Sequence, residues 1–262
     1  MAVTHFRANR MRKIAIVCMV FLGAFASHFV RADATRIEGV EQAGTSEEIC
    51  HPHPEHGKNQ YIVGYGSLLE RASRQRTVPA AGEAVPVRVQ GFRRAWIARG
   101  SSTGFSTTFL GVSADARSPM NAVLFSLPDE SAIAAMDSRE NGYCRVKISA
   151  AQITTLDLSP LPDGERWIYV NKPQNTVPPS TTYPIVQSYV DVFLSGCLEV
   201  GRAFQLGDFA HECIVTTHGW STHWVNDRIY PRRPFIYQPN AGVIDALLKR
   251  ELPLRFRSIR IE

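Results

Sequence analysis

Between residues 61 and 170 the chain alternates short apolar runs with clusters of Gly, Ser, Asp and Pro. The runs are YIVGY, AVPVRVQGF, RRAWIA, STTFLGV, NAVLFSL, YCRVKIS and RWIYV. Val85, Val87 and Val89 fall on one side of an extended backbone, as do Cys144, Val146 and Ile148. A chain that turns back every few residues buries its strands by pairing near neighbours. The pattern predicts six or seven short strands in a curled, mostly antiparallel sheet or barrel. Helices are expected over 68–76 and 129–139. The fold class is α+β: a small mixed, mostly antiparallel β-barrel flanked by helices, with a helical C-terminal extension.

The segments on either side differ from this body. Residues 1–32 carry a basic stretch, RANRMRK, then the apolar IAIVCMVFLGAFA, which ends on an A-x-A-like AFA; VRA at 30–32 is a second such site. The apolar run is shorter than the ~20 residues a membrane span needs. The segment reads as a signal peptide, or as an anchor if uncleaved, so the body is expected to be exported, periplasmic or secreted. The net charge of +5 resides entirely in this leader. Arg7, Arg10, Arg12, Lys13 and Arg31 lie within it and no acid does, so the rest is neutral and gives no ground for a nucleic-acid partner. Lys249, Arg250, Arg255, Arg257 and Arg260 read as a solvated face.

Residues 33–59 are polar and read as a linker. They contain CHPHPEH, where Cys50, His51, His53 and His56 resemble a metal trap. Pro52 and Pro54 hold that stretch extended, however, and no second ligand pair follows at zinc-finger spacing. With Cys18 in the leader, Cys50, Cys144, Cys197 and Cys213 remain. They fit two disulfides in an oxidising compartment or buried free thiols, and the spacing does not choose a pairing. Residues 171–262 open with a proline-rich loop, NKPQNTVPPSTTYP. In PIVQSYVDVFLSGCLE, Ile185, Tyr189 and Phe193 form one row and Val186, Val190, Leu194 and Leu198 another, as in a packed helix. Another helix is expected over 243–251. His218 and His223 are five residues apart, which does not put them on one helical face.

Two stretches carry the candidate chemistry. In VGYGSLLE, Leu69 stands where a dinucleotide fingerprint needs its third glycine, and Tyr65 and Leu69 stand where a nucleophile elbow needs glycines. What remains is a glycine turn opening a helix, where N–H groups favour an anion. A plain tight turn with Ser67 as N-cap is the competing reading. In PDESAIAAMDSRENGY, Asn141-Gly142 ends a helix and leaves Glu140 at its C-terminus. The negative end of the dipole disfavours a carboxylate there and, with burial, raises its pKa toward proton transfer near neutrality. The competing reading is an exposed glutamate paired with Arg139 or Arg145.

GYGSLL after a strand, GFRRAW at 91–96 and DSRENGY, in that order, resemble the gamma-glutamylcyclotransferase-like superfamily over roughly 61–170. YPIVQSYVDVFLSGCLE and GWSTHWVNDR look like the C-terminal extension of one branch. The resemblance implies a small barrel flanked by helices. It also implies a reaction in which the substrate's α-amine attacks its own γ-carbonyl, releasing 5-oxoproline and an amine or amino acid. It makes Glu140 the general base and acid, and the backbone of Tyr65, Gly66, Ser67, Leu68 and Leu69 the substrate cradle. Tyr143 becomes an orienter and Arg145 a carboxylate partner. No metal or other cofactor is implied, and the partner is a small gamma-glutamyl compound. Such enzymes are usually thought of as cytosolic, so the leader leaves the substrate open between gamma-glutamyl peptides and gamma-glutamyl amines. The alternatives are a non-catalytic binding module on the same fold, or an exported hydrolase or metalloprotein using His218 and His223.

Overall fold

The computed structural model describes residues 50–100, 106–233 and 238–262. The leader and most of the expected linker lie outside these residues. Within them the strands are β1 (Gln60–Gly64), β2 (Ala84–Gly100), β3 (Thr107–Ser126), β4 (Tyr143–Lys147), β5 (Ile153–Thr155), β6 (Glu165–Asn171), β7 (Ile185–Val186), β8 (Thr217–His218), β9 (Trp224–Asn226) and β10 (Arg260–Ile261). The helices are α1 (Arg71–Thr77), α2 (Ser131–Arg139), α3 (Gln187–Ala203), α4 (Phe209–Val215), α5 (Ala241–Glu251) and α6 (Pro253–Phe256). Among the described residues, no helix is long and apolar enough to cross a membrane.

The main sheet runs β4-β6-β1-β3-β2-β5, with β8 added to β2. Pairing is antiparallel except for β1 with β6 and β2 with β8. The order is an open path. Among the described residues β4 and β5 share no ladder, so the expected barrel is not seen as a closed ring of hydrogen bonds. The sheet is nevertheless curled: Val63, Val87, Val89, Val112, Ile148, Ile153 and Ile168, drawn from strands and their ends, share one core. The alternate residues, among them Ile62, Trp96, Val123, Phe125 and Trp167, pack the other face against Tyr189, Val190, Phe193 and Leu194 of α3. Both faces are thus buried, and the period-2 pattern decides which residue enters which core.

Four of the expected short strands are two long ones. AVPVRVQGF and RRAWIA form β2, and STTFLGV and NAVLFSL form β3. Their shared register shifts between Gln90 and Phe92, where Gly91 has φ +88° and Asp115 caps Arg117 N–H and Ser118 Oγ across the widened partner. A bulge of this kind bends a strand without ending it, and a glycine accepts the left-handed φ. The helix expected over 68–76 is broken: Ser67–Leu69 makes one 3₁₀ turn, Glu70 is extended (φ −77°, ψ 128°), and α1 starts afresh.

Helix α3 is buried nearly all round, polar residues included. Asp191 is reached by both Nε and Nη2 of Arg228 at 2.8 Å, and Arg228 also binds Asp245 of α5. The four described cysteines pair as Cys50–Cys144 and Cys197–Cys213. The first bond fastens the end of the expected linker to β4. That stretch is also held by Lys147 Nζ to Glu55 Oε1 (3.1 Å) and by Glu55 N–H to Glu165 Oε2 (2.7 Å).

Candidate active site

Glu140 caps the C-terminus of α2: its N–H donates to Met136 O (2.9 Å), and its own carbonyl accepts Tyr143 N–H (2.8 Å). Chain reversal at Asn141-Gly142 turns the side chain inward, where it is 16% exposed. Arg139 Nε donates to Glu140 Oε1 at 3.0 Å. The rest of that guanidinium donates to Ser73 O, Thr77 Oγ1, Ser73 Oγ and Ser67 Oγ. One arginine therefore locks the carboxylate to α1 and to the glycine turn, and Oε2 is left without a donor among the described residues. Burial raises the Glu140 pKa above 4.5; Arg139 and Arg233 oppose the shift without cancelling it.

Glu140 lines two neighbouring spaces. The inner one is about 30 Å³ and is bounded by Tyr65, Gly66, Ser67, Leu68, Leu110, Tyr143, Tyr169 and Tyr189. The outer one is about 360 Å³, and Glu140 shares its wall with Ser67, Tyr143 and Tyr189 again and with Arg99, Asn171 and Arg233. The glycine turn and the acidic side chain therefore face one cavity. Ser67 is the first residue of the 3₁₀ turn rather than a cap, since Gly66 is the N-cap and no side chain caps it. A Cβ on Gly66 would lie 3.0 Å from Tyr189 Oη, so the glycine admits the tyrosine against the backbone.

The tyrosines stay protonated, because burial and the neighbouring Glu140 charge both push their pKa values up. Tyr65 OH donates to Tyr169 O (2.6 Å), Tyr143 OH to Leu110 O (2.9 Å) and Tyr169 OH to Asp137 Oδ1 (2.7 Å). The Tyr189 oxygen takes the Ser67 N–H. Its own proton meets no acceptor among the described residues, so it is a donor available to a ligand.

The turn is fixed from below by Arg94, which is fully buried. Its guanidinium donates to Tyr65 O (3.1 Å), Asn121 O, Asn121 Oδ1, Cys213 O, Thr216 Oγ1 and Thr217 Oγ1. Burial pulls its pKa down to about 9, so it remains a cation at neutral pH.

Two expected site residues lie elsewhere. Arg145 binds Asp137 through Nε (2.9 Å) and Nη2, and stacks over Trp167 at 4.5 Å. It braces α2 against β4 and β6 and is not in the cavity wall. Leu69 is fully buried and its N–H is used by Gly66 O, so it offers a ligand nothing. His218 is exposed on β8, and His223 meets Thr181 Oγ1 through Nδ1 at 3.3 Å. Among the described residues no cluster of His, Cys, Asp and Glu has metal-binding geometry, and Cys50 of the CHPHPEH stretch is taken by its disulfide. Tyr189 and Arg233 come from the C-terminal extension and Arg99 from the far end of β2. No motif marks any of the three.

Fold and cavity define a class: a curled α+β sheet that sets one buried carboxylate beside a glycine turn. No family model and no curated protein matches the sequence. Among solved structures, the chain is similar to a gamma-glutamyl cyclotransferase. The two are 14% identical, over 59% of this chain and 87% of that one, with a TM-score of 0.46. It is also similar to an uncharacterized protein from Homo sapiens (15% identity, 59% and 87% coverage, TM-score 0.46). A third is a yeast gamma-glutamyl cyclotransferase specific to glutathione (13% identity, 60% and 97% coverage, TM-score 0.36). These are likenesses of fold alone.

Proposed function

We propose that the protein is an exported gamma-glutamylcyclotransferase-like enzyme. The substrate's α-ammonium gives a proton to Glu140. The freed amine attacks the γ-carbonyl, and the C–N bond to the leaving group breaks as Glu140 returns the proton to the departing nitrogen; Glu140 then takes the second proton from the ring nitrogen and passes it to the released amine. The products are 5-oxoproline and an amine or amino acid, and no water is consumed. The substrate brings its own nucleophile, which suits a cavity with a base and no serine elbow. Holding amine and carbonyl in a near-attack geometry is worth up to ~7–11 kcal/mol. Tyr189 OH and the N–H groups of Gly66 and Leu68 would receive the developing oxyanion, at roughly 2.7–4 kcal/mol per donor.

The observation that carries this reading is Glu140 itself: buried, raised in pKa, held through one oxygen only, and facing the same cavity as the glycine turn. Pairing of all four cysteines outside the leader supports an oxidising compartment. The test is release of 5-oxoproline by the purified, oxidised protein from gamma-glutamyl amino acids, glutathione and gamma-glutamyl amines. Glu140→Gln should abolish it without unfolding the protein. Folded protein that forms no 5-oxoproline from any of these would overturn the proposal.

A further inference from the structure

The outer half of the cavity contains three polar groups that the protein does not satisfy. Arg99 Nε, Arg233 Nε and Asn171 Oδ1 are buried and have no hydrogen-bond partner among the described residues. The arginines differ from every other cation near the site. Arg139 is spent on Glu140, Ser67 and α1, and Arg94 on the floor. The guanidiniums of Arg99 and Arg233 make no ion pair with a described residue; each instead lies on an aromatic face. Arg99 sits 4.2 Å above the Tyr183 ring, and Arg233 sits 5.3 Å from the Phe109 centroid. Stacking occupies the face of a guanidinium and leaves its in-plane N–H donors free. The two are near each other by construction: Arg99 opposes Thr108 in the β2–β3 register, one residue from the Phe109 that carries Arg233.

Buried donors and acceptors are almost always paired, and a buried cation without an anion is costly. Two guanidinium Nε–H donors and one acceptor, left unpaired in residues that line the same space, point to a missing ligand. Its anionic group would meet Arg99 and Arg233, and an N–H would meet Asn171 Oδ1, whose Nδ2 is already committed to Thr176 Oγ1.

We propose that Arg99 and Arg233 clamp a carboxylate on the leaving portion of the substrate, with Asn171 accepting its N–H. The preferred substrates are then gamma-glutamyl amino acids or peptides with a free carboxylate, and gamma-glutamyl amines are disfavoured. This rests on the cyclotransferase reading. The scissile amide sits at Glu140, the gamma-glutamyl head folds back over the glycine turn, and whatever extends past Glu140 enters the arginine-lined half. A cationic polyamine tail there would meet two unneutralised guanidiniums.

The decisive pair of compounds is γ-glutamylglycine and γ-glutamylglycinamide, which differ only in carboxylate against carboxamide. Wild type should favour the glycine compound in kcat/KM by roughly 10–100-fold, the range for hydrogen bonds to a charged group. Arg99→Gln and Arg233→Gln should each erase most of that preference, mainly by raising KM for the glycine compound. Equal kcat/KM for the two compounds in wild type, or a preference that survives in both folded variants, overturns the clamp. Calorimetric binding of both compounds to the Glu140→Gln protein separates this from the parent proposal. Carboxylate-dependent binding without any turnover by wild type would uphold the clamp and sink the reaction. Turnover with carboxylate-independent binding would do the reverse. If an arginine variant fails to fold, the wild-type comparison still decides.

Discussion

Arg94 and Arg99 lie on the same strand, five positions apart, and their surroundings are opposite. Beneath the glycine turn, Arg94 is enclosed by acceptors from the turn itself, β3, α4 and β8. At the cavity rim, Arg99 and its neighbour Arg233 lie against rings, and among the described residues no acceptor takes their Nε–H. The floor is finished by the protein alone, whereas the rim is finished only by something that enters. The difference separates residues that hold a site in shape from residues that read its ligand, and it does so without reference to any relative.

The largest effect expected concerns the group between the two regions. Glu140→Gln should lower kcat by roughly 10²–10⁴-fold, the usual yield of a positioned acid–base group. The circular dichroism spectrum should remain native. If activity survives in this variant, floor and rim enclose no proton-transfer site.

Next comes the contrast itself. Arg94→Met leaves Tyr65 O, Asn121 and Cys213 O without their donor, so it should cost on the order of 3–5 kcal/mol in chemical denaturation. Arg99→Met breaks no described hydrogen bond and should change stability by less than about 1 kcal/mol. Similar losses for the two would erase the distinction between floor and rim.

A smaller effect is expected at Tyr189. Tyr189→Phe removes a cavity hydroxyl whose proton has no acceptor among the described residues and should reduce kcat by roughly tenfold or more. Tyr143→Phe, whose hydroxyl serves Leu110 O, should act mainly on the melting temperature.

The smallest effect is in pH dependence. Burial raises the Glu140 pKa, so kcat/KM should fall on the acid side through a value above 4.5. For stability the sign is reversed. A raised carboxylate pKa contributes stability at low pH and loses it as pH climbs from 4.5 through the folded value. Glu140→Gln should flatten this part of the stability profile, which thermal melts between pH 4 and 8 would detect.

Much of the fold was legible because period-2 burial is a local property. The strand containing Val87 follows from alternation, and those containing Ile62 and Ile168 from apolar runs bounded by turn clusters. The unity of β2 was not legible, because Gly91 is punctuation in sequence and a hinge in space. The glycine turn and Glu140 could be singled out from dipole, cap and turn chemistry within a few residues of each. The family resemblance made Arg145 a carboxylate partner. Only the packing of α2 against β4 brings Asp137 to take it, and that packing is not a local property. Tyr189, Arg99 and Arg233 were invisible for a similar reason: each reaches the cavity by tertiary folding, and an aromatic or an arginine in a run of sequence announces nothing about what it will face.

The Cys50–Cys144 bond has a consequence at the margin of the main sheet. Strand β4 is the last in its row, and an outermost strand offers unpaired amides and carbonyls to any passing chain. Here a segment from before β1 is riveted to that strand at Cys144 and fastened again at Lys147. A second molecule seeking to add itself to this border meets a covalently moored strap first.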